Sequence, residues 1–281
     1  MSTVAVFGAG DIGAACAQAL ASRDRARRIL LIDAAANAAA GKALDIQQAG
    51  AIAGFHTELE ATADETRAIG CALIVVADRM ATGSPEWLGE EALALVRRVT
   101  DWSDAPVVFA GALQAGLMRA ASQELRIAAR RLIGSASDAF ASAVSAIVAM
   151  EARCSPADVS VAMLGTPPDG FVIPWSEASI GGYALERTLS QVQLRRLEAR
   201  AARLWPPGPY ALGAAAARIV EGMLDAARRS YNILTILDGE FGVRERVAAV
   251  PARLDPHGVA LIRTPLLNRR EQVQLDTALR A

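Results

Sequence analysis

The sequence predicts an α/β protein in which helices cover both faces of a parallel sheet, and its N-terminal segment supplies the evidence. An apolar run at residues 3–8 leads directly into a glycine-rich turn, and an amphipathic stretch follows to about Ser22. A second apolar run at residues 29–32 then ends at Asp33. Because strands buried on both faces are continuously apolar and strands that alternate with helices pair in parallel, this order predicts a doubly wound sheet.

The turn after the first strand has the glycine spacing of a dinucleotide-binding site. Gly8, Gly10 and Gly13 form a G-x-G-x-x-G arrangement that also contains Asp11 and Ile12. In that motif the first glycine permits the tight turn, the second lets the backbone approach a pyrophosphate, and the third lets the helix pack on the strand. The helix N-terminus then offers free N–H groups to the phosphates. The alternative is a glycine turn kept for packing alone.

Asp33 indicates which dinucleotide the site would accept. A carboxylate at the end of the second strand accepts hydrogen bonds from ribose hydroxyls and repels a 2′-phosphate, so NAD is favoured over NADP. We therefore predict a Rossmann-type NAD-binding domain. Its predicted cofactor-binding residues are Gly8, Gly10, Asp11, Ile12, Gly13 and Asp33.

The alternation of strands and helices continues through the first half of the chain. Further strands are predicted near residues 71–77, 106–110 and 131–134, and helices at 35–50, 86–100 and 113–129. Ligands of such sheets bind beyond the carboxyl ends of the strands.

The composition is that of a globular protein, and it argues against several classes of function. Of the 281 residues 53% are hydrophobic and 21% are charged, and the net charge is −1. This balance does not favour binding to nucleic acid or to an acidic membrane, and no apolar run approaches the roughly 18 residues that span a bilayer. Cys16, Cys71 and Cys154 lack metal-ligand spacing. Without a recognisable signal peptide, we expect a cytoplasmic protein with no bound metal.

Segments along the whole chain resemble the malate/lactate dehydrogenase family. The matching segments are 41–49 (GKALDIQQA), 174–176 (PWS) with 181–182 (GG), 237–242 (LDGEFG), a late hairpin at 247–263, and a terminal helix that begins at Asn268 with Glu271 three residues on. The resemblance implies an NAD-binding domain at residues 1–136. It also implies an α+β substrate-type domain at residues 137–281.

The same resemblance implies that the family's catalytic residues are replaced. The loop that bears its histidine falls at residues 165–170 (GTPPDG), with proline at the histidine position. The helix that bears its arginine and aspartate falls at residues 135–152, a segment without arginine. An ungapped count places Phe140 at the aspartate and Ala143 at the arginine. Asp138 could shift into the aspartate position, but it would have no histidine to orient.

Arg79 and Asp169 are the charged residues that we expect near a nicotinamide ring, and they are the weak candidates for catalysis. Arg79 belongs to a shortened lid, and Asp169 to the loop at 165–170. An exposed or phosphate-binding arginine and a structural aspartate are the alternatives. His56 and His257 are expected in an exposed loop and at a hairpin tip, away from the ring.

Three functions remain open at this point. The first is an NAD(H)-binding sensor or partner subunit without normal 2-hydroxy-acid turnover. The second is an NAD-dependent oxidoreductase with a rebuilt site for a small hydroxy or oxo substrate, and the third is a scaffold that binds no nucleotide. Because the helix at 41–49 resembles one that forms a subunit interface in the family, we also expect a homo-oligomer, a dimer or a tetramer.

Overall fold

The structure is a computed structural model that describes residues 2–83, 85–168, 170–226 and 228–280. Its strands are β1 (Thr3–Phe7), β2 (Arg28–Ile32), β3 (Glu58–Thr62), β4 (Leu73–Val76), β5 (Val107–Phe109), β6 (Leu132–Gly134), β7 (Val159–Ser160), β8 (Leu164–Thr166), β9 (Gly170–Val172), β10 (Ser179–Ile180), β11 (Tyr183–Ala184), β12 (Tyr231–Asp238), β13 (Arg244–Asp255) and β14 (Gly258–Ile262). Its helices are α1 (Asp11–Ala21), α2 (Ala36–Ala53), α3 (Gly89–Trp102), α4 (Ala115–Glu124), α5 (Ala136–Ala152), α6 (Leu185–Thr188), α7 (Gln191–Ala201), α8 (Pro209–Leu224) and α9 (Arg269–Arg280).

One large sheet organises the molecule. Strands β3-β2-β1-β4-β5-β6 lie side by side in that order and pair in parallel. Beyond β6 the sheet continues through β12, β13, β8 and β9 with antiparallel pairing, and β14 pairs with β13. Strands β11, β10 and β7 form a separate antiparallel sheet. The parallel part confirms the predicted α/β class.

Burial explains why the central strands were recognisable in the sequence. Residues 4–7 of β1 and 73–76 of β4 are all buried. A strand in the middle of a sheet that is covered on both faces needs apolar side chains in both directions. These runs fix the position of the turns that follow them.

The strand β3 was missed, and two predicted helices are shorter than expected. The segment Glu58–Thr62 alternates charged and small or apolar residues, because it pairs with β2 alone at the edge of the sheet. Helix α3 begins at Gly89 rather than at residue 86, since Glu86 forms an extended bridge with Asp78. Helix α4 ends at Glu124, two residues before the left-handed backbone of Arg126.

Two later predictions are confirmed. The hairpin of β13 and β14 turns at residues 255–258, as expected. At the start of α9 the Asn268 side chain accepts a hydrogen bond from the Glu271 backbone, and the Glu271 carboxylate accepts one from the Asn268 backbone. This reciprocal pair is a capping box.

Among the described residues, no helix is long and apolar enough to cross a membrane.

Helix α1, which follows the glycine turn, packs closely on α8 from the second half of the chain. A Cβ atom on Gly213 of α8 would lie 2.6 Å from the Ala15 Cβ and 2.6 Å from the Cys16 backbone nitrogen. Both distances are well inside van der Waals contact, so the two helices could not approach this closely with a larger residue. Gly213 therefore helps to fix the position of α1.

We expect Gly213→Ala to destabilise the protein by about 1–3 kcal/mol, because overpacking forces backbone shifts. Urea unfolding followed by circular dichroism measures the change. Gly116→Ala is the matched control, since Gly116 lies exposed in α4 and its Cβ would meet nothing within 4 Å. Equal stability of the two variants would contradict the close packing of α1 on α8.

Candidate cofactor-binding site

The glycine turn lies at the carboxyl edge of the parallel sheet, between the ends of β1, β2 and β4. Gly8 has a φ of +100°, and its N–H donates to the Ile32 carbonyl at 2.8 Å. A Cβ on Gly8 would clash with the Asp78 backbone, and one on Gly13 would clash with the Gly8 backbone. Gly8 is therefore required by its positive φ, and both glycines are required by close backbone contacts.

Asp33 lies at the predicted position, buried at the end of β2 beside the turn. Its Oδ2 accepts hydrogen bonds from the backbone N–H groups of Ala9 at 3.0 Å and Met80 at 2.8 Å. Its Oδ1 accepts one from the Ala35 N–H at 2.9 Å. Since each carboxylate oxygen has two acceptor positions, Oδ1 keeps one for a ribose hydroxyl.

Asp78 binds the N-terminus of α1, a contact that the sequence analysis did not foresee. Its Oδ2 accepts a hydrogen bond from the Ile12 N–H at 3.0 Å, and its Oδ1 accepts one from the Gly13 N–H at 2.8 Å. We call these two N–H groups the α1 anion site. The Asp78 side chain is buried, and burial raises the pKa of its carboxyl despite these hydrogen bonds. A Cβ on Gly10 would clash with this carboxylate.

A third carboxylate lies beside the end of β5. Glu86 accepts hydrogen bonds from the backbone N–H groups of Ala112 and Leu113, both at 2.9 Å. Burial raises the pKa of its carboxyl, and the nearby Asp78 charge raises it further. A Cβ on Gly111 would clash with the Glu86 side chain. Carboxylates from this chain therefore contact backbone amides at three points along the carboxyl edge, through Asp33, Asp78 and Glu86.

The Lys42 side chain, from α2, binds the backbone of the glycine turn. Its Nζ donates to the carbonyl oxygens of Ala9 at 2.8 Å and Gly10 at 3.1 Å. It also lies 4.0 Å from the Asp11 carboxylate. Lys42 is the single lysine of the chain, but no sequence spacing links it to the turn, so this contact could not be predicted.

The two predicted catalytic candidates are Arg79 and Asp169. The Arg79 guanidinium donates to the Glu91 carboxylate at 2.7 Å and lies 5.0 Å from the centre of the Trp87 ring. Asp169 lies outside the described residues. His56 is exposed beside Asp24, and His257 is exposed at the β13–β14 turn, as predicted.

Helix α5 presents apolar bulk where the resemblance placed an aspartate. Phe140 is fully buried, with its ring 4.9 Å from the Phe171 ring in an edge-to-face arrangement and 5.8 Å from the Trp205 ring. Asp138 is also buried, and it lies 3.4 Å from the Arg218 guanidinium. Burial raises the pKa of the Asp138 carboxyl, although Arg218 opposes this shift. Among the described residues, no His, Cys, Asp and Glu cluster could hold a metal ion.

NAD is the cofactor that this turn implies, and the residues fit it in part. The free acceptor position on Asp33 suits the ribose of a dinucleotide, and the glycine spacing suits the turn that precedes the pyrophosphate site. The α1 anion site, which a pyrophosphate would use, is hydrogen-bonded to Asp78.

Comparison with known proteins finds similar sequences along nearly the whole chain. Residues 2–101 match the family model of the lactate/malate dehydrogenase NAD-binding domain. Malate dehydrogenase from Thioalkalivibrio sulfidiphilus is 27% identical over 300 residues, covering 99% of this chain and 96% of the relative. Malate dehydrogenase from Thermomicrobium roseum is also 27% identical, with 99% and 95% coverage.

Solved structures show the same fold. Malate dehydrogenase from Salinibacter ruber superposes with a TM-score of 0.87 at 23% identity, covering 98% of this chain and 93% of that one. The minor L-lactate dehydrogenase from Enterococcus mundtii superposes with a TM-score of 0.85 at 20% identity, covering 99% and 95%.

The fold and the glycine turn define a dinucleotide-binding protein of the Rossmann class. The chain is similar to malate dehydrogenases along nearly its whole length, and residues 2–101 match the NAD-binding domain of the lactate/malate dehydrogenase family. Its N-terminal part is an NAD-binding domain, which confirms the prediction of NAD as the cofactor.

The raised pKa of Asp138 predicts a specific pH dependence of stability. Between the ordinary pKa of an aspartate and this raised value, the folded state binds more protons than the unfolded state, so stability falls as pH rises. Asp138→Asn removes this titration. We expect the Tm of the variant minus that of the wild type to increase as the pH rises above the ordinary aspartate range, about 3.9.

Asp24→Asn is the matched control for this measurement. Hydrogen bonds from His56 and Thr57 lower the pKa of the Asp24 carboxyl, so its replacement should give no comparable increase as the pH rises. A pH-independent difference for Asp138→Asn would contradict the assignment of a raised pKa to this residue.

Proposed function

We propose that this chain is an NAD(H)-binding protein that lacks normal 2-hydroxy-acid dehydrogenase turnover and serves as a sensor or partner subunit. The observation that carries the proposal is the charge at the carboxyl edge of the sheet. There Asp33, Asp78 and Glu86 direct carboxylates at backbone N–H groups. A 2-oxo acid is itself an anion, so the Asp78 and Glu86 carboxylates disfavour its approach to this edge.

The residues at the aligned catalytic positions support the same proposal. Reduction of a 2-oxo acid needs an arginine fork for the carboxylate and a proton donor for the developing alkoxide. The resemblance places Phe140, Ala143 and a proline at these positions. Loss of a general acid alone costs about 10²–10⁴ in rate, and each charge-assisted bond to the substrate is worth roughly 1.5–3 kcal/mol.

A second candidate function is an NAD-dependent oxidoreductase with a rebuilt active site. Relatives that align over nearly the whole chain are named malate dehydrogenases, which favours retained activity. Arg79 would then bind the substrate, and Asp169 would assist proton transfer. The ion pair of Arg79 with Glu91 and its contact with Trp87 mean that it would have to exchange partners first.

The first proposal predicts no NADH oxidation above a protein-free control when oxaloacetate or pyruvate is supplied at high protein concentration. The absorbance of NADH at its near-ultraviolet maximum reports the reaction, and NADH binding must be shown in the same preparation. Clear turnover would overturn the proposal. If Arg79→Ala or Asp169→Asn then abolished that turnover, the rebuilt site would be supported.

We also propose that the chain forms a homo-oligomer in the cytoplasm. Helix α2 exposes Leu44, with 58% of its surface accessible, and Ile52, with 93%. Burying two such side chains in a subunit contact is favourable by about 1.5–3 kcal/mol for each.

Size-exclusion chromatography with light scattering tests this expectation. We expect the mass of a dimer or a tetramer, and a lower mass for the double variant Leu44→Asp, Ile52→Asp. A monomeric wild type at micromolar concentration would contradict the proposal.

A further inference from the structure

Asp78 occupies the place where the cofactor's diphosphate would bind, because both use the N-terminus of α1. We propose that the Asp78 carboxylate is an internal competitor of NAD(H), and that the cofactor binds only when this side chain leaves the α1 anion site. The inference rests on the proposed NAD(H)-binding function and specifies what controls it.

The competition follows from the hydrogen bonds that the two anions need. A helix N-terminus binds phosphate through its free N–H groups and the positive end of its dipole. In α1 the N–H groups of Ile12 and Gly13 already donate to Asp78 at 3.0 Å and 2.8 Å. No side chain of the turn itself caps this helix. Asp78 therefore satisfies the donors that a diphosphate would otherwise use.

The Asp78 carboxylate also fills the space beside Gly10, the second glycine of the motif. Gly10 lacks a side chain, and in a dinucleotide-binding turn this gap lets the pyrophosphate approach the backbone. Here the nearest atoms to a Cβ on Gly10 are the carboxylate atoms of Asp78. The space and the hydrogen-bond donors are taken by one group, and two anions cannot share them at such short range.

The backbone around Asp78 is held in place, so only its side chain can move away. The Asp78 carbonyl accepts from the Gly10 N–H at 3.0 Å, and the Met80 N–H donates to Asp33 at 2.8 Å. The Arg79 N–H donates to the Pro85 carbonyl at 2.9 Å. Cofactor binding thus requires rotation of a buried carboxylate out of two charge-assisted hydrogen bonds. The apparent affinity is the intrinsic affinity multiplied by the fraction of molecules in which that rotation has occurred.

The competition is tested by measuring ligand binding to Asp78→Gly and Asp78→Asn by isothermal titration calorimetry. The ligands are NADH, ADP-ribose and adenosine, of which only the first two carry a diphosphate. We expect Asp78→Gly to bind NADH and ADP-ribose with a Kd lowered about tenfold or more. Asp78→Asn, which keeps an acceptor but loses the charge, should change the Kd in the same direction by less. Adenosine should bind the three proteins equally.

Asp24→Gly is the matched control, because it removes one carboxylate that also accepts backbone and hydroxyl hydrogen bonds. Asp24 lies before β2 and contacts His56 and Thr57, at the opposite edge of the sheet. Its φ of 52° suits glycine. Its replacement should leave the Kd for NADH unchanged.

The melting temperature tests separately whether the substitution acts at α1. Without NADH, Asp78→Gly should melt about 2–4 °C below the wild type, because α1 loses its cap. With saturating NADH the order should reverse.

The two proposals fail in different ways. Equal NADH and ADP-ribose Kd values for the wild type and both Asp78 variants would overturn the competition, as would absence of binding by a folded Asp78→Gly. Turnover of oxaloacetate or pyruvate by the wild type would overturn the proposed function and leave the Asp78 result standing.

Discussion

The N–H groups at the start of α1, which have no acceptor within the helix, are the constraint on which the cofactor-binding site depends. A helix that begins inside a tight glycine turn needs an acceptor for them, and burial makes an unpaired donor costly. In this chain Asp78 supplies the acceptor and is itself buried. The end of β4, the turn and the helix are thereby joined by one carboxylate, and ligand binding has to replace what that carboxylate provides.

The position of α1 is also fixed from the second half of the chain. Gly213 allows α8 to approach the backbone of α1 closely, and the main sheet passes from β6 to β12 through the pairing of Gly134 with Leu234. The glycine turn is therefore supported by elements far apart in sequence. Any movement at the α1 N-terminus must be local, since the body of the helix is packed on both sides.

Much of the fold could be predicted because its signals are local. The strand–turn–helix start, Asp33 and the Asn268–Glu271 capping box all depend on neighbouring residues. The strand β3 escaped because an edge strand such as Glu58–Thr62 needs no continuous apolar run. Asp78 escaped for another reason: its partner Ile12 lies 66 residues away, and an aspartate after a strand resembles an ordinary loop residue.

Lys42, beside the glycine turn, gives the molecule one chemically distinct side chain. Lys42 is the only lysine of the chain, so it holds the single ε-amino group among the side chains. Two of its three N–H donors bind the carbonyls of Ala9 and Gly10, and its side chain is 30% accessible. An amine-selective label on a lysine side chain would thus report from one known point, next to the turn that precedes the α1 anion site.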